Sequence, residues 1–195
     1  MVAYVFTDIL NKASQADIKS GTSRARNWLR DQARSTRVSP RAIMRPDDRS
    51  LLTNEARIGR MYFFNYDPKT KKDLPYYDRF PLIFMVGPAE GGFYGINMHY
   101  IAPNFRARLM DALYDAMNNQ KYDETTRLRI SYGILQRASK FKFFKPCLKH
   151  YLDNKVQGRF LEVEPKSWDI ALFLPVEKFA KKNKQYVFRQ SRKQF

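Results

Sequence analysis

The sequence predicts an α+β fold: a small SH3-like β-barrel with a basic helical arm before it and a helical insertion within it. Hydrophobic residues make up 44% of the chain and aromatic residues 15%, which is too apolar for a disordered protein. The hydrophobic period also changes from helical spacing to short extended runs and back. We therefore expect an N-terminal part (1–56), a barrel core (57–177) with an insertion at about 103–155, and a basic tail (178–195).

The N-terminal part of the chain has the spacing of two helices. Residues 1–18 mix apolar and polar side chains with a helical period, and a Ser or Thr at positions 20–23 can cap a second helix. Pro40 and Pro46 interrupt this pattern, so residues 38–56 are predicted to form an irregular arm.

The second helix carries an unusual set of arginines. Arg26, Arg30 and Arg34 fall at i, i+4 and i+8, which places them on one face, and Arg37 follows one turn later. We interpret these residues, with Arg24, as a basic face that binds DNA phosphates.

Short extended runs follow from residue 58. Aromatic and β-branched residues favour strands in three of them, which two loops join into a meander: MYFFNYDP (61–68), PLIFMV (81–86) and FYGINMHYI (93–101). Two later runs, RFLEVE (159–164) and WDIALFLP (168–175), are predicted to be strands that complete the barrel and close its edges.

The predicted insertion is helical. Pro103 and Asp123 suit the starts of two helices, and Pro146 suits the start of a third, in which Leu148 and Tyr151 would face inward. Residues 178–195 carry no acid and form either a short helix and strand or a disordered arm.

The charge of the chain indicates its partners. Thirty-six Lys and Arg residues face 19 Asp and Glu residues, a formal net charge of +17, so a polyanion is expected and nucleic acid is the leading candidate. No apolar run reaches the roughly 18 residues that span a bilayer, so we expect a soluble protein made in a cytoplasm, with no membrane partner. A single cysteine, Cys147, excludes an internal disulfide framework.

Two further basic segments are candidates for DNA binding. In the middle segment lysines alternate with phenylalanines, so the rings could stack on bases or could equally pack inward while the lysines stay solvated. The candidate lysines there are Lys140, Lys142 and Lys145. The candidates in the tail are Lys181, Lys182, Lys184, Arg189, Arg192 and Lys193.

Few residues indicate catalysis. Cys147 and His150 are close in sequence, but we interpret them as a buried cysteine and a surface histidine. Asp78 with the later EVEPK run resembles the acid and E-x-K pattern of Mg²⁺-dependent nucleases, which would use Glu162, Glu164 and Lys166; a solvated strand edge is preferred. No Gly-rich phosphate loop is present. We expect no catalytic residue, metal, cofactor or small-molecule substrate.

The stretch LPYYDRFPLIFMV (74–86) places two tyrosines before an apolar run. Tyr76 and Tyr77 could stack on bases or fix the long loop to the fold. Base-stacking rings are usually flanked by cations, and the lysines of this loop end at Lys72, so we predict that both tyrosines fix the loop.

Several longer runs resemble one family of small proteins in T-even-like tailed bacteriophages. The similarity covers most of the chain from about residue 24, and its most specific parts are Asp67-Pro68-Lys69, Leu74 to Pro81 and Asn97-Met98-His99-Tyr100. The resemblance implies a virion protein that is either a DNA end protector or a structural protein of unknown role.

This family implies no catalytic motif. We therefore expect a non-enzymatic protein that binds phage DNA, guards the genome end near the head–tail junction and contacts other virion proteins in a multi-subunit assembly. The alternative is a structural tail, baseplate or neck component whose charge meets acidic protein partners.

Overall fold

The computed structural model describes residues 4–18, 22–117, 121, 123–140 and 144–193. The helices in these residues are α1 (Val5–Gln15), α2 (Ser23–Ser35), α3 (Pro40–Ile43), α4 (Pro103–Met117), α5 (Glu124–Lys140), α6 (Trp168–Phe173) and α7 (Lys184–Lys193). The strands are β1 (Leu52–Thr53), β2 (Met61–Tyr66), β3 (Tyr77–Asp78), β4 (Leu82–Ala89), β5 (Gly92–Asn97), β6 (Leu148–Leu152), β7 (Val156–Val163) and β8 (Phe179–Ala180).

The fold is α+β, as predicted, and its sheet is open. Six strands pair antiparallel in the order β1-β7-β2-β4-β5-β6, while β3 and β8 form a separate pair. The predicted meander is confirmed, because β2, β4 and β5 are neighbours. The closed SH3-like barrel is not confirmed. Among the described strands, β1 and β6 lie at opposite edges of the sheet and are not paired with each other.

Most predicted helices are also confirmed, with their capping residues. Thr22 caps α2, because its hydroxyl accepts a hydrogen bond from the Ala25 N–H at 3.1 Å. Asp123 likewise accepts from the Thr126 N–H at 2.8 Å before α5. The predicted irregular arm, 38–56, contains the short helix α3 and strand β1. No helix in the described ranges is long and apolar enough to cross a membrane.

Two element predictions are wrong. The run 168–175 forms α6 instead of a strand, and its helix packs under the sheet with the Trp168 ring 5.0 Å from that of Phe84. Every residue of α6 is buried and all but Asp169 are apolar, so the run carries no period that separates helix from strand. The predicted third helix is a single 3₁₀ turn, Lys145–Cys147, followed by β6, which pairs with β5.

Both faces of the sheet are buried. Along β2, Met61 and Phe63 point into the main core with the helices, while Tyr62, Phe64 and Tyr66 point to the other side. There an aromatic cluster forms, and the sheet curls around it: the Phe160 ring of β7 lies 5.6 Å from that of Phe93 in β5, although β2 and β4 lie between these strands. The sheet is therefore strongly curved, although it stays open.

The two tyrosines of the long loop have different surroundings. Tyr76 packs against the main core, with ring centroids 6.0 Å from Tyr100, 6.1 Å from Tyr186 and 6.4 Å from Phe179. Tyr77 belongs to β3, which pairs with β8, and its side chain lines a surface groove. The loop-fixing role predicted for both tyrosines therefore fits the contacts of Tyr76.

This difference gives a stability prediction. Replacing Tyr76 with Ala will lower the free energy of unfolding by about 2 kcal/mol, because three ring contacts are lost, whereas Tyr77→Ala will cost about 1 kcal/mol or less. Urea unfolding followed by circular dichroism measures both values. Equal losses for the two variants would contradict the assignment of the loop-fixing role to Tyr76.

Candidate nucleic-acid interface

The arginines of α2 do not form one exposed basic face. Arg30 is only 6% exposed; its Nε donates to Asp169 at 2.7 Å and its Nη2 donates to Asp111 at 2.9 Å. The Arg26 guanidinium lies 3.6 Å from the same Asp111 carboxylate. The charge at the centre of the predicted DNA-binding face is therefore neutralised inside the protein.

The reason lies in the neighbouring positions of the same helix. Ala25, Leu29 and Ala33 are buried at the same i, i+4, i+8 spacing, and each of the three arginines follows one of them. One residue is a rotation of about 100° on a helix, so the arginines border the buried stripe. Arg34 accordingly lies over the ring of Phe173 in α6, 4.6 Å from its centroid. The apolar stripe is the sequence signal that indicates which side of α2 faces the core, and therefore where its arginines lie.

The two outer arginines of this set are exposed. Arg24 lies at the start of α2, and Arg37 lies in the wall of a groove of about 650 Å³ beside α3, which we call the Arg41 groove. Its charged lining residues are Arg37, Arg41, Arg45, Asp8 and Asp47. Arg41 and Arg45 were not among the predicted DNA-binding residues, although they continue the four-residue spacing from Arg37.

The middle basic segment is described only in part. Lys142 lies outside the described residues, and Lys140 is the last residue of α5. Lys145 is exposed, whereas Phe144 is partly buried against the main core. For Phe144, the inward-packing alternative is therefore correct.

The basic tail forms β8 and α7, which answers the question that the sequence left open. Val187 and Ser191 bury one side of α7. Two of its predicted cations have contacts within the protein: Lys184 lies 3.7 Å from Glu177, and the Arg192 guanidinium lies over the ring of Phe105. Among the described residues, the exposed cations of the tail are Lys178, Lys181, Lys182, Arg189, Arg192 and Lys193.

Lys181 has a structural contact that sequence reasoning missed. Its Nζ donates to the carbonyl oxygens of Lys72 and Leu74 at 2.8 and 2.7 Å, and its own backbone is in the left-handed region at φ 67°. Such a conformation is uncommon for a residue with a side chain. Lys181 thus holds the long loop against the β3–β8 pair.

A second groove of about 680 Å³ adjoins the other side of α3, and we call it the Lys178 groove. Its cations are Lys71, Arg79 and Lys178, and its single acid is Asp67. Pro40 lies in its wall, while Ser39 and Arg41 lie in the wall of the Arg41 groove, so the two grooves meet at α3. None of these three cations was predicted to bind DNA, and only Lys178 is distant from the other two in sequence.

The nuclease-like carboxylates are not brought together. Asp78 is buried and accepts hydrogen bonds from Asn97 at 3.1 Å and from the Phe80 N–H, with His99 Nδ1 at 2.7 Å. Glu162, Glu164 and Lys166 line a separate groove, in which Glu164 and Lys166 form an ion pair at 3.0 Å. In the described part of the chain no three His, Cys, Asp or Glu residues are placed to hold a metal ion.

The Cys147 and His150 pair matches its structural interpretation. Cys147 is fully buried in the main core, and burial raises the pKa of its thiol to about 12. A thiol with that pKa is not a nucleophile near neutral pH. His150 is exposed on β6, with its Nε2 3.1 Å from the Glu90 carbonyl oxygen.

The fold and surface define an α+β protein of high positive charge, with exposed cations bordering two adjoining grooves. A family model described as the phage T4 terminal DNA protecting protein matches residues 6–194. The chain belongs to this family, which confirms the resemblance seen in the sequence. Comparisons with curated proteins and with solved structures gave no match.

Proposed function

We propose that this protein binds the end of phage DNA and protects it without chemically altering it, as a component of the virion. The observation that carries the proposal is the family match over residues 6–194, since that family is described as terminal DNA protecting. The net charge of +17 supports it, because binding to phosphates is driven by cations.

Exposed cations are the residues we propose to contact phosphate. Of those predicted from sequence, Arg30 leaves this set because it is buried and ion-paired, and Lys181 because it binds backbone carbonyls. The other three that leave it each lie beside a carboxylate: Arg26, Arg34 and Lys184. Lys140 and Lys142 stay predictions. The proposed set is Arg24, Arg37, Arg41, Arg45, Lys145, Lys182, Arg189, Arg192 and Lys193.

Protection can be measured directly. Linear duplex DNA incubated with the purified protein and then with a double-strand-specific exonuclease will remain full length, while DNA without the protein is degraded. An endonuclease that cuts inside the same duplex is the control and should be unaffected at the protein concentration that blocks the exonuclease. Equal degradation with and without the protein would contradict the proposed function.

Salt dependence is the second control. The logarithm of the affinity should fall with the logarithm of salt concentration by about 0.9 for each phosphate contacted, so five contacts give roughly a 500-fold loss between about 50 and about 200 mM salt. Fluorescence anisotropy with a labelled duplex measures this slope. A flat dependence would exclude the proposed cations as phosphate contacts.

A structural role beside acidic virion proteins is the second candidate. An apolar groove of about 440 Å³ between α4 and α5 is bordered by Arg108 and Arg137, and its apolar lining includes Phe105, Leu109 and Ile134. Such a groove fits an acidic segment with apolar side chains on another virion protein. Electron microscopy of intact virions separates the two candidates: density at the DNA terminus supports end protection, and density remote from DNA supports the structural role.

A further inference from the structure

The Lys178 groove combines cations from two distant segments of the chain, since Lys71 and Arg79 are close in sequence and Lys178 is not. Lys71 comes from the long loop, Arg79 from the residues after β3, and Lys178 from the residues before β8. The backbone that carries Arg79 is fixed: its N–H donates to the Lys178 carbonyl oxygen at 2.9 Å, and its carbonyl oxygen accepts from Tyr66 N–H at 3.1 Å. The backbone from which Arg79 and Lys178 extend is therefore held in place by the fold itself.

Two of the three charges are available to a ligand. Lys71 is paired with Asp67, whose carboxylate oxygens lie 2.8 and 3.0 Å from its Nζ. Arg79 and Lys178 are exposed, and neither has an acidic side chain within ion-pair distance among the described residues. An anionic group is therefore attracted to the Arg79 and Lys178 side of the groove.

The groove also presents polar amides where the ladder between β2 and β7 is irregular. The register shifts between Phe63 and Asn65, and the first pair beyond the shift is Asn65 with Gln157. Both side chains line the groove, and Gly158 beside them is in the left-handed region at φ 85°. Irregularities of this kind redirect side chains, and here they add amide donors and acceptors to the lining.

Aromatic rings form the remaining lining. Tyr77 is half-buried, while Tyr66 and Phe80 are buried, so part of the Tyr77 side chain is open to a ligand. Inside a duplex each base is covered on both faces by its neighbours, and only a terminal or unpaired base has a face free to stack on a ring. Cations alone suit any phosphate, but cations beside an accessible ring suit the end of a nucleic acid.

We propose that the Lys178 groove binds the terminal nucleotide of a DNA end, with Arg79 and Lys178 on its phosphate and Tyr77 against its base. A volume of about 680 Å³ is adequate for one nucleotide. The inference rests on the proposed function and assigns end recognition to a site, while the remaining exposed cations hold the adjacent duplex.

The test compares two DNAs of one sequence: a blunt duplex with 5′-phosphates and a dumbbell closed by a hairpin at each end. The variant Arg79→Ala/Lys178→Ala should lose at least about tenfold in affinity for the open duplex relative to the dumbbell, since charge-assisted hydrogen bonds are lost. The matched control is Arg49→Ala/Lys166→Ala, which removes one exposed Arg and one exposed Lys outside the groove and should leave the preference unchanged.

Tyr77 provides an independent variant. Tyr77→Ala should weaken binding to the open duplex only, and Tyr77→Phe should retain it, because stacking needs the ring and not the hydroxyl. Thermal melting of each variant shows whether it is folded. A 5′-hydroxyl duplex identifies the phosphate: loss of the groove's contribution indicates the terminal monoester, and its retention indicates the first phosphodiester.

The possible outcomes separate this inference from the proposed function. If the Arg79/Lys178 variant weakens binding to both DNAs by the same factor, or to neither, the groove is not the end site and the inference is wrong. If the wild-type protein binds neither DNA, or binds both equally and gives no exonuclease protection, the proposed function itself fails.

Discussion

Replacing Arg106 with Met will lower the free energy of unfolding by about 4 kcal/mol, because the buried Glu177 carboxylate loses its hydrogen-bonded partner and keeps only the more distant Lys184, at 3.7 Å. Arg106 is fully buried, and its guanidinium donates to the carbonyl oxygens of Ile101 at 2.9 Å and Leu172 at 2.7 Å and to Glu177 at 2.7 Å. The substitution leaves all three acceptors without this donor. It should lower the melting temperature by about 10 °C, measured by calorimetry.

The double variant Arg106→Met/Glu177→Met is the control. It removes both charges, so it should be more stable than Arg106→Met alone, since most of the loss comes from the carboxylate that Arg106 no longer neutralises. A loss below about 1 kcal/mol for Arg106→Met would show that Lys184 is sufficient to compensate the Glu177 charge.

The acid stability of the protein gives a second measurement on the same pair. Burial is the largest single effect and on its own would raise the pKa of Glu177, but the charge of Arg106, its hydrogen bond and weaker favourable interactions together outweigh burial and lower this pKa from 4.5 to about 2. A carboxylate with a lowered folded-state pKa stabilises the protein above its unfolded pKa. This contribution is lost as the pH falls from 4.5 towards 2, and the Glu177→Gln variant should lack that part of the acid-induced loss.

The parts of the fold that sequence predicted are those with a clear composition, period or cap. The aromatic-rich run of β2 and the short loop between β4 and β5 indicate the meander, and Thr22 and Asp123 mark helix starts correctly. The run 168–175 has neither signal, since apart from Asp169 it is apolar throughout, as both a fully buried helix and a fully buried strand are. Strand pairing between distant segments determines whether a sheet closes, and hydrophobic period does not specify that pairing.

The candidate site was harder to predict, for a different physical reason. Sequence shows the density of cations along the chain but not which of them meet an acid in space. Arg30 donates a hydrogen bond to Asp169, which lies 139 positions away in sequence, so its charge is neutralised inside the protein. Arg79 in the long loop and Lys178 at the start of the tail are distant in sequence, and the β3–β8 pair brings them to one groove. The arginines of α2 are therefore partly structural, whereas two cations that are far apart in sequence meet at the groove.

Replacing Asp169 with Ala will lower the free energy of unfolding by about 3 kcal/mol. Asp169 is fully buried; burial raises its pKa, and the charge of Arg30 opposes this rise. Its removal leaves Arg30 with Asp111, whose side chain is 47% exposed and is therefore the weaker partner. Urea unfolding measures the loss, and Asp169→Asn, which keeps an acceptor oxygen without the charge, should lose less.

The double variant Arg30→Met/Asp169→Leu tests whether Arg30 also contacts DNA. Replacing a buried ion pair with apolar side chains restores much of the stability that one unpaired charge costs, so this variant should fold. Because Arg30 is buried on the α6 side of α2, the salt dependence of DNA affinity should match that of the wild type. A slope reduced by about 0.9 would mean that Arg30 contacts a phosphate, and that α2 moves away from α6 when DNA binds.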